Sequence, residues 1–199
     1  IFSTLLFITF SCKKDFKTNE TDDFNSDSLT TYITLAKNSD LNPEKRIRYN
    51  KKALSILQNR KNESDYRSNL LKIAENFFRL NENKDLQNSL QLILSKSIEK
   101  NDTLHIAKVY SLYGNKYYNQ SQNDSAYYYF LKAEKLFTKV KDSLSLGKNY
   151  IDKAYAQMYE NDYTGCELWS IQALGYYKKF NDRLSEYLAF HLIGISSNE

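Results

Sequence analysis

The sequence has few residues that interrupt regular secondary structure, with one proline and five glycines among 199 residues. These two residue types break helices most strongly, so their scarcity removes the main obstacle to long helices. The β-branched residues are scattered along the chain and are not grouped into strand-like runs. This composition favours long helices joined by short loops over a β-sheet.

Cysteine and excess charge are also scarce. The two cysteines, Cys12 and Cys166, are too few to indicate a disulfide framework. The net charge is +4, from 28 basic and 24 acidic residues, and no basic stripe stands out. Nucleic-acid binding therefore has little support. Hydrophobic residues make up 41% of the chain and charged residues 26%, which allows both a buried core and solubility.

Long apolar runs are missing too. The first segment, IFSTLLFITFSC, has ten largely apolar residues, whereas a membrane-spanning helix needs about 20. Its length fits the apolar part of a secretory signal peptide, and the absence of an initial Met leads us to expect residues before Ile1. The Ser11-Cys12 junction resembles a bacterial lipoprotein signal, although Thr9 and Phe10 depart from the usual motif. A plain signal peptide or an incomplete anchor is the alternative.

From this resemblance we predict a signal peptide over residues 1–12, with Cys12 as the lipidation site, followed by a flexible polar tether over 13–26. Stable anchoring requires more than one acyl chain, which the lipoprotein resemblance implies. The predicted location is the cell envelope, outside the cytoplasm and attached to a membrane by lipid.

Aromatic residues are abundant, with 17 tyrosines and 11 phenylalanines, and they help to form columns at a fixed step along the chain. Residues of similar type recur 40 positions apart, a spacing that we call the repeat step. Each set of residues related by this spacing forms a column: one column has small residues, one has large apolar or aromatic residues, and one has leucines that lie two positions after an aspartate. The columns are Ala74, Gly114, Ala154, Gly194; Leu70, Tyr110, Tyr150, Phe190; and Leu104, Leu144, Leu184. Because several columns agree at one spacing, the sequence contains an internal repeat.

Each repeat unit carries two amphipathic helical segments. In the clearest unit, apolar residues from Leu104 to Tyr117 recur at spacings of three and four. The segment NQSQNDS then breaks the helix, and we predict that its Asn, Asp and Ser residues form the turn and the N-cap. The segment AYYYFLKAEKLF supplies a second stripe. A glycine inside a helix costs about 1 kcal/mol relative to alanine. We predict that Gly114 and Ala126 offset this cost by letting the two antiparallel helices cross closely.

Polar residues mark the expected helix starts. Asn42-Pro43 combines a cap residue with a proline in the first turn, and Asn161-Asp162 has the same starting role. Turn or cap roles are predicted for Asp102, Asp142 and Asp182.

The pattern Tyr110-x2-Tyr113-Gly114-x2-Tyr117, then Ala126-x3-Phe130, resembles the tetratricopeptide repeat (TPR) consensus W-x2-L-G-x2-Y…A-x3-F. Aromatic residues replace its Trp and Leu, and the unit has about 40 residues instead of about 34. The resemblance covers roughly residues 27–199 and is strongest over 107–140. It implies an all-α fold, a right-handed α-solenoid of antiparallel helix pairs.

The predicted units span 27–60, 67–100, 107–140 and 147–180, and an incomplete unit spans 187–199. No second helix follows the last segment in the sequence. Repeat arrays need capping units, so we expect the natural protein to continue beyond Glu199.

Patterns that would indicate catalysis or a cofactor are not recognisable. The two histidines, His105 and His191, do not sit in a metal-ligand spacing, and we interpret both as structural or surface residues. Cys166 falls in the small-residue column of Ala126, which favours a packed thiol over a nucleophile. No phosphate-binding loop or Ser/His/Asp motif is present. We predict no enzyme activity, no metal and no cofactor in these residues.

The TPR resemblance implies that the first helix of each unit lines a concave groove. Helical spacing places a set of polar, aromatic and apolar residues there, a mixture suited to holding a peptide. The candidate partner-binding residues are Lys108, Ser111, Asn115 and Tyr118 in one unit and Lys148, Ile151, Tyr155, Met158 and Tyr159 in the next. Lys108 and Lys148 could attract a carboxylate.

Two functions remain open at this point. The first is an exported, membrane-anchored scaffold that binds a protein or peptide partner without catalysis. The second is the N-terminal sensory region of a larger bacterial signalling protein, a histidine kinase or DNA-binding regulator, which the signal-like start and degenerate repeats resemble. Sequence beyond Glu199 would distinguish them.

Overall fold

The structure is a computed structural model that describes residues 26–61 and 63–197. These residues form nine α-helices and no strand. In chain order the helices are α1 Ser26–Lys37, α2 Pro43–Gln58, α3 Tyr66–Arg79, α4 Asn83–Glu99, α5 Thr103–Asn119, α6 Asn123–Val140, α7 Ser143–Tyr159, α8 Tyr163–Phe180 and α9 Arg183–Ser196. The prediction of an all-α fold is confirmed. The predicted signal peptide, Cys12 and nearly all of the tether lie outside the described residues and stay predictions.

The loops between helices are short and follow one backbone pattern from α3 onwards. Each contains one residue in the left-handed conformation, and these residues recur every 20 positions: Asn81, Asn101, Ser121, Lys141, Asn161 and Asn181. Four of the six are asparagine, which adopts this conformation more readily than most residues. In the loop after α4, Asn101 N–H donates to Ile98 O at 3.1 Å and Asp102 N–H donates to Ser97 O at 2.8 Å. This pair of bonds is a Schellman motif, which satisfies carbonyls left free at the helix end.

The residue after the left-handed position is the N-cap of the next helix. The side chains of Asp102, Asp142, Asp162 and Asp182 each accept a hydrogen bond from the backbone N–H three residues later. Asn42 does the same for Lys45, with Pro43 as the first residue of α2. The predicted cap roles are therefore confirmed, because one short polar side chain satisfies an orphan donor at each start.

The predicted N-cap in NQSQNDS needs one correction. Asn123 and Asp124 lie inside the first turn of α6, and the N-cap is Gln122, whose side chain makes no cap hydrogen bond. The reason is the preceding loop, in which Ser121 takes the left-handed position and fixes where α6 begins.

Consecutive helices pack against one another along the whole described chain. In addition, each odd-numbered helix comes within 8 Å of the next odd-numbered helix, measured between Cα atoms, while no two successive even-numbered helices in the described residues approach this closely. Helices α6 and α8 meet only through side chains, in a hydrogen bond between Tyr127 and Trp169. The odd-numbered helices therefore lie side by side in one layer. Apolar residues form one cluster from α1 to α5 and another from α5 to α9, so the core extends along the stack.

Close contact between α5 and α6 explains the glycine inside α5. A Cβ atom added at Gly114 would collide with the ring of Phe130, which is fully buried on α6. Ala126 is also fully buried and belongs to the same small apolar cluster as Phe130. The predicted close helix crossing is confirmed, and the group that fills the space beside Gly114 is the Phe130 ring.

Candidate functional site

The layer of odd-numbered helices presents a polar and aromatic surface where α5 meets α7. We call this surface the α5–α7 face, and it comprises Lys108, Ser111, Asn115 and Tyr118 on α5 with Lys148, Asp152, Tyr155 and Tyr159 on α7. The contacts that join the helices across it include a hydrogen bond from Asn115 Nδ2 to Asp152 Oδ2 at 3.2 Å and an edge-to-face contact of the Tyr118 and Tyr159 rings at 6.1 Å between centroids. Most of the predicted partner-binding residues therefore lie together.

Asp152 is the member of this face that the sequence analysis missed. Asp152 is half-buried as a residue, and its carboxylate receives hydrogen bonds from the Asn115 amide and the Ser111 hydroxyl of the neighbouring helix. Burial raises the pKa of Asp152 to about 6, although the Lys148 charge and the two hydrogen bonds oppose this rise. Asp152 is the one acidic residue in α7, which is a signal that the sequence did contain.

Lys148 is exposed and lies one helical turn before Asp152. Its ammonium lowers the pKa of Asp152, yet the two side chains form no ion pair within 4.0 Å in the described part of the chain. A lysine four residues before an aspartate is also the less favourable order for such a pair on a helix. Lys148 therefore moderates the negative charge of this face without cancelling it.

Three tyrosines belong to the α5–α7 face, and Tyr155 is the one whose pKa responds to the charge of Asp152. Tyr118 and Tyr155 are half-buried, and Tyr159 is 56% exposed. Burial raises the pKa values of Tyr118 and Tyr155, and the charge of Asp152 also raises the pKa of Tyr155. Tyr118 and Tyr155 therefore stay neutral at physiological pH. All three tyrosines offer ring surface and hydroxyl groups to a bound molecule.

Two predicted site residues are placed differently. Ile151 is only 3% exposed, because it packs in one cluster with Ala189 and Leu192 of α9, and it is not available to a partner. Met158 is half-buried and packs against the same cluster. Lys108 is half-buried on α5.

Behind the α5–α7 face, α7 buries a second charged group. Lys153 is fully buried, and its Nζ lies 2.8 Å from Glu134 Oε2 on α6. The same ammonium lies 3.1 Å from the centroid of the Trp169 ring and 5.4 Å from that of Tyr150. Burial lowers the pKa of Lys153, although Glu134 opposes this. Because no part of Lys153 reaches solvent, we assign it to the packing of α6, α7 and α8.

Two other residues with potentially reactive side chains, His105 and Cys166, have structural roles. His105 Nδ1 lies 2.8 Å from Asp102 Oδ2, and the same carboxylate oxygen is 2.9 Å from Arg67 Nε. Cys166 is fully buried, and burial raises the pKa of its thiol. Among residues 26–61 and 63–197, no three His, Cys, Asp or Glu side chains are arranged to hold a metal ion.

A small cavity lies beside the C-terminal end of α7, lined by the first turn of α6 and the last turn of α7. It has a volume of about 210 Å³, and its lining includes Tyr127, Gln157 and Glu160. Sites for small organic ligands usually have volumes of about 300–1,000 Å³. This neighbouring cavity therefore does not favour a small-molecule function for the face.

Comparisons with known proteins do not assign the chain to a family. No protein-family model matches the sequence, and no curated protein matches it. None of the described helices combines the length and apolar character that a bilayer-spanning segment requires.

Proposed function

We propose that this protein is a non-catalytic scaffold that binds a peptide or a segment of a partner protein on the α5–α7 face. In this proposal the helix pairs form a TPR-like, right-handed solenoid. Each repeat unit is one helix pair, and successive units are separated by the repeat step of the sequence. The left-handed loop residues, which recur every 20 positions, support such a unit, since two loops make one helix pair.

The observation that carries the proposal is the difference between the two kinds of helix. The backbones of successive odd-numbered helices lie within 8 Å of each other, measured between Cα atoms, and those of successive even-numbered helices in the described residues lie farther apart. Packing of this kind curves a stack towards the odd-numbered side, as in repeat proteins whose concave surface binds other chains.

The composition of the face supports the same conclusion. Interface cores are enriched in tyrosine and methionine, with hydrogen-bonding groups between the apolar surfaces. Tyr118, Tyr155 and Tyr159 provide ring surface here, and Asn115 and Asp152 provide hydrogen-bonding groups. In this proposal a bound peptide contacts these five side chains.

Selection of a displayed random-peptide library on the full chain tests this proposal. We expect the affinity of enriched peptides to fall about tenfold or more for Tyr159→Ala and to change measurably for Lys148→Glu, because the first removes exposed ring surface from the face and the second reverses an exposed charge on it. The matched controls are Lys135→Glu and Tyr128→Ala on α6, which are similarly exposed and lie outside the face.

Two results would contradict the proposal. One is the absence of any enriched peptide. The other is equal loss of binding in the face variants and the α6 controls, which would place the binding surface elsewhere.

A further inference from the structure

We infer that the α5–α7 face seats a positively charged side chain of the bound segment, a lysine or an arginine, against the Asp152 carboxylate. This inference rests on the proposed function and specifies the chemistry of the partner. It assigns to Asp152 the role of setting specificity.

The first argument is the set of groups that hold Asp152. Both side chains that donate to it across the helix boundary are neutral, an amide from Asn115 and a hydroxyl from Ser111. Neutral donors fix the direction of a carboxylate but leave its charge in place. A carboxylate has about four lone-pair sites, so acceptor capacity remains for a ligand.

The second argument is a contrast with Asp102, the aspartate at the start of α5. Asp102 Oδ2 lies 2.9 Å from the Arg67 guanidinium and 2.8 Å from His105, so the protein supplies the positive charge itself. Although burial alone would raise the pKa of Asp102, these partners and the His105 backbone N–H lower it. The charge of Asp102 is therefore compensated within the protein, whereas Asp152 has no cation within 4.0 Å in the described chain.

The third argument is that Asp152 is unfavourable for the protein alone. The equivalent position in α5, one repeat step earlier, is Leu112, which is 8% exposed and packs in the core. An ionised carboxylate in such a place weakens folding at neutral pH, which its raised pKa also indicates. Groups that carry such a cost are concentrated at functional sites.

The fourth argument is the aromatic border. The ammonium of lysine and the guanidinium of arginine are attracted to the faces of tyrosine rings as well as to carboxylates. Tyr155 lies on the same helix face as Asp152, close enough for the charge of Asp152 to raise its pKa, and the Tyr118 and Tyr159 rings meet edge to face elsewhere on the α5–α7 face. A carboxylate beside a neutral phenol is a chemical match for a cationic side chain.

The charged and titratable groups around Asp152 are few. Lys148 and Tyr155 face it from α7, Tyr177 approaches it from α8, and α5 contributes only the neutral Ser111 and Asn115. Tyr155 and Tyr177 have raised pKa values and stay neutral below pH 8, so Asp152 is the one group of this set that titrates near pH 6.

The experiment measures affinity for peptides enriched on the full chain, using fluorescence anisotropy. We expect one position in these peptides to be lysine or arginine. Replacing that arginine by citrulline, which has a similar shape and no charge, should weaken binding about 10–100-fold, the range for a hydrogen bond to a charged group. Asp152→Asn should remove this difference, and the matched change at an exposed aspartate of α6, Asp124→Asn, should keep it. Affinity should also fall as the pH is lowered through about 6.

Enriched peptides that have no basic position, or that are acidic and depend on Lys108 and Lys148, would overturn the inference and leave the proposed function in place. An unchanged arginine preference in Asp152→Asn would overturn it as well. The absence of any enriched peptide would overturn the proposed function and this inference together.

Discussion

Helices α5 and α7 occupy equivalent places in successive helix pairs, yet they bury different chemistry. At two adjacent positions α5 has Leu112 and Tyr113, which are 8% and 6% exposed. The corresponding residues of α7 are Asp152 and Lys153, the first half-buried and the second fully buried. The same two positions therefore hold uncharged residues in α5 and charged residues in α7.

The neighbours of the two helices differ in the same way. Tyr113 stacks on Tyr129 at 5.2 Å between centroids and shares an apolar cluster with Leu94. Lys153 instead points its ammonium at the Trp169 ring and pairs with Glu134, which stands one repeat step after Leu94. The junction between α6 and α7 thus includes an ion pair at the position where the junction between α4 and α5 has Leu94 and Tyr113 in one apolar cluster, with the Tyr113 hydroxyl accepting a hydrogen bond from Gln87 at 3.4 Å.

This difference shows that the repeat specifies shape more strongly than chemistry. A buried ion pair loses much of its attraction to the cost of removing both charges from water, so an apolar pair of similar volume often stabilises more. We therefore expect Asp152 and Lys153 to lower the stability of this part of the stack. One of them, Asp152, faces the surface for which we propose a binding role.

The largest expected effect comes from breaking the ion pair. Glu134→Leu should lower the free energy of unfolding by about 3–5 kcal/mol, because it leaves the fully buried Lys153 without its carboxylate partner. Chemical denaturation followed by circular dichroism measures this loss.

The control for that experiment converts the junction to the apolar kind found between α4 and α5. Glu134→Leu/Lys153→Met should recover the loss and reach or exceed the wild-type stability. A double variant as unstable as Glu134→Leu would show that the charge of Lys153 is not the cause.

A smaller effect is expected where α5 and α7 differ in packing. Gly114 faces the large Phe130, whereas the equivalent pair one repeat step later is Ala154 and the small Ser170. Gly114→Ala should lower the free energy of unfolding by about 1–3 kcal/mol through overpacking, despite the better helix propensity of alanine. Thermal denaturation measures the change.

Two comparisons sharpen this prediction. Gly194→Ala is the matched control, since a Cβ at the same column in α9 would meet nothing within 4 Å apart from the backbone of its own helix. This change should be neutral or stabilising by up to about 1 kcal/mol. Adding Phe130→Leu to Gly114→Ala copies the Ala74 and Leu90 pair of the earlier unit and should cost less than the sum of the two single changes. Additive costs would argue against direct contact between positions 114 and 130.

The smallest expected effect concerns Asp152 and pH. Its pKa in the folded state is about 6, above its ordinary value of 3.8, so between these values the folded protein binds a proton that the unfolded chain does not. Stability should therefore rise by about 1–2 kcal/mol relative to Asp152→Asn as the pH falls from 7 to 4.5. Urea denaturation of both proteins at several pH values measures the difference, and parallel curves would contradict it.

Local features were predictable because neighbouring residues decide them. The roles of Asn42, Asp102 and Asp162 at helix starts follow from short polar side chains next to helical patterns. Gly114 indicated a close helix crossing, because a residue with poor helix propensity inside a helix requires a compensating contact. The N-cap of α6 was misplaced, because the sequence does not show which residue of a polar run takes the left-handed conformation.

The candidate site was less predictable, because its members come from separate helices. Ile151 fits the helical spacing of a groove residue, and only the position of α9 shows that it is buried. Asp152 was passed over because its partners Ser111 and Asn115 lie on another helix, far from it along the chain.

The sequence by itself determined the helical character, the recurring helix pairs and the small residue that lets α5 and α6 approach. These properties depend on spacing along the chain, which short-range backbone and side-chain preferences translate directly into structure. Only the tertiary structure decided that Lys153 is enclosed by Glu134 and Trp169, and that Asp152 is desolvated beside Asn115. The electrostatic state of a carboxylate or an ammonium depends on the solvent and charges around it, and packing between distant helices sets both.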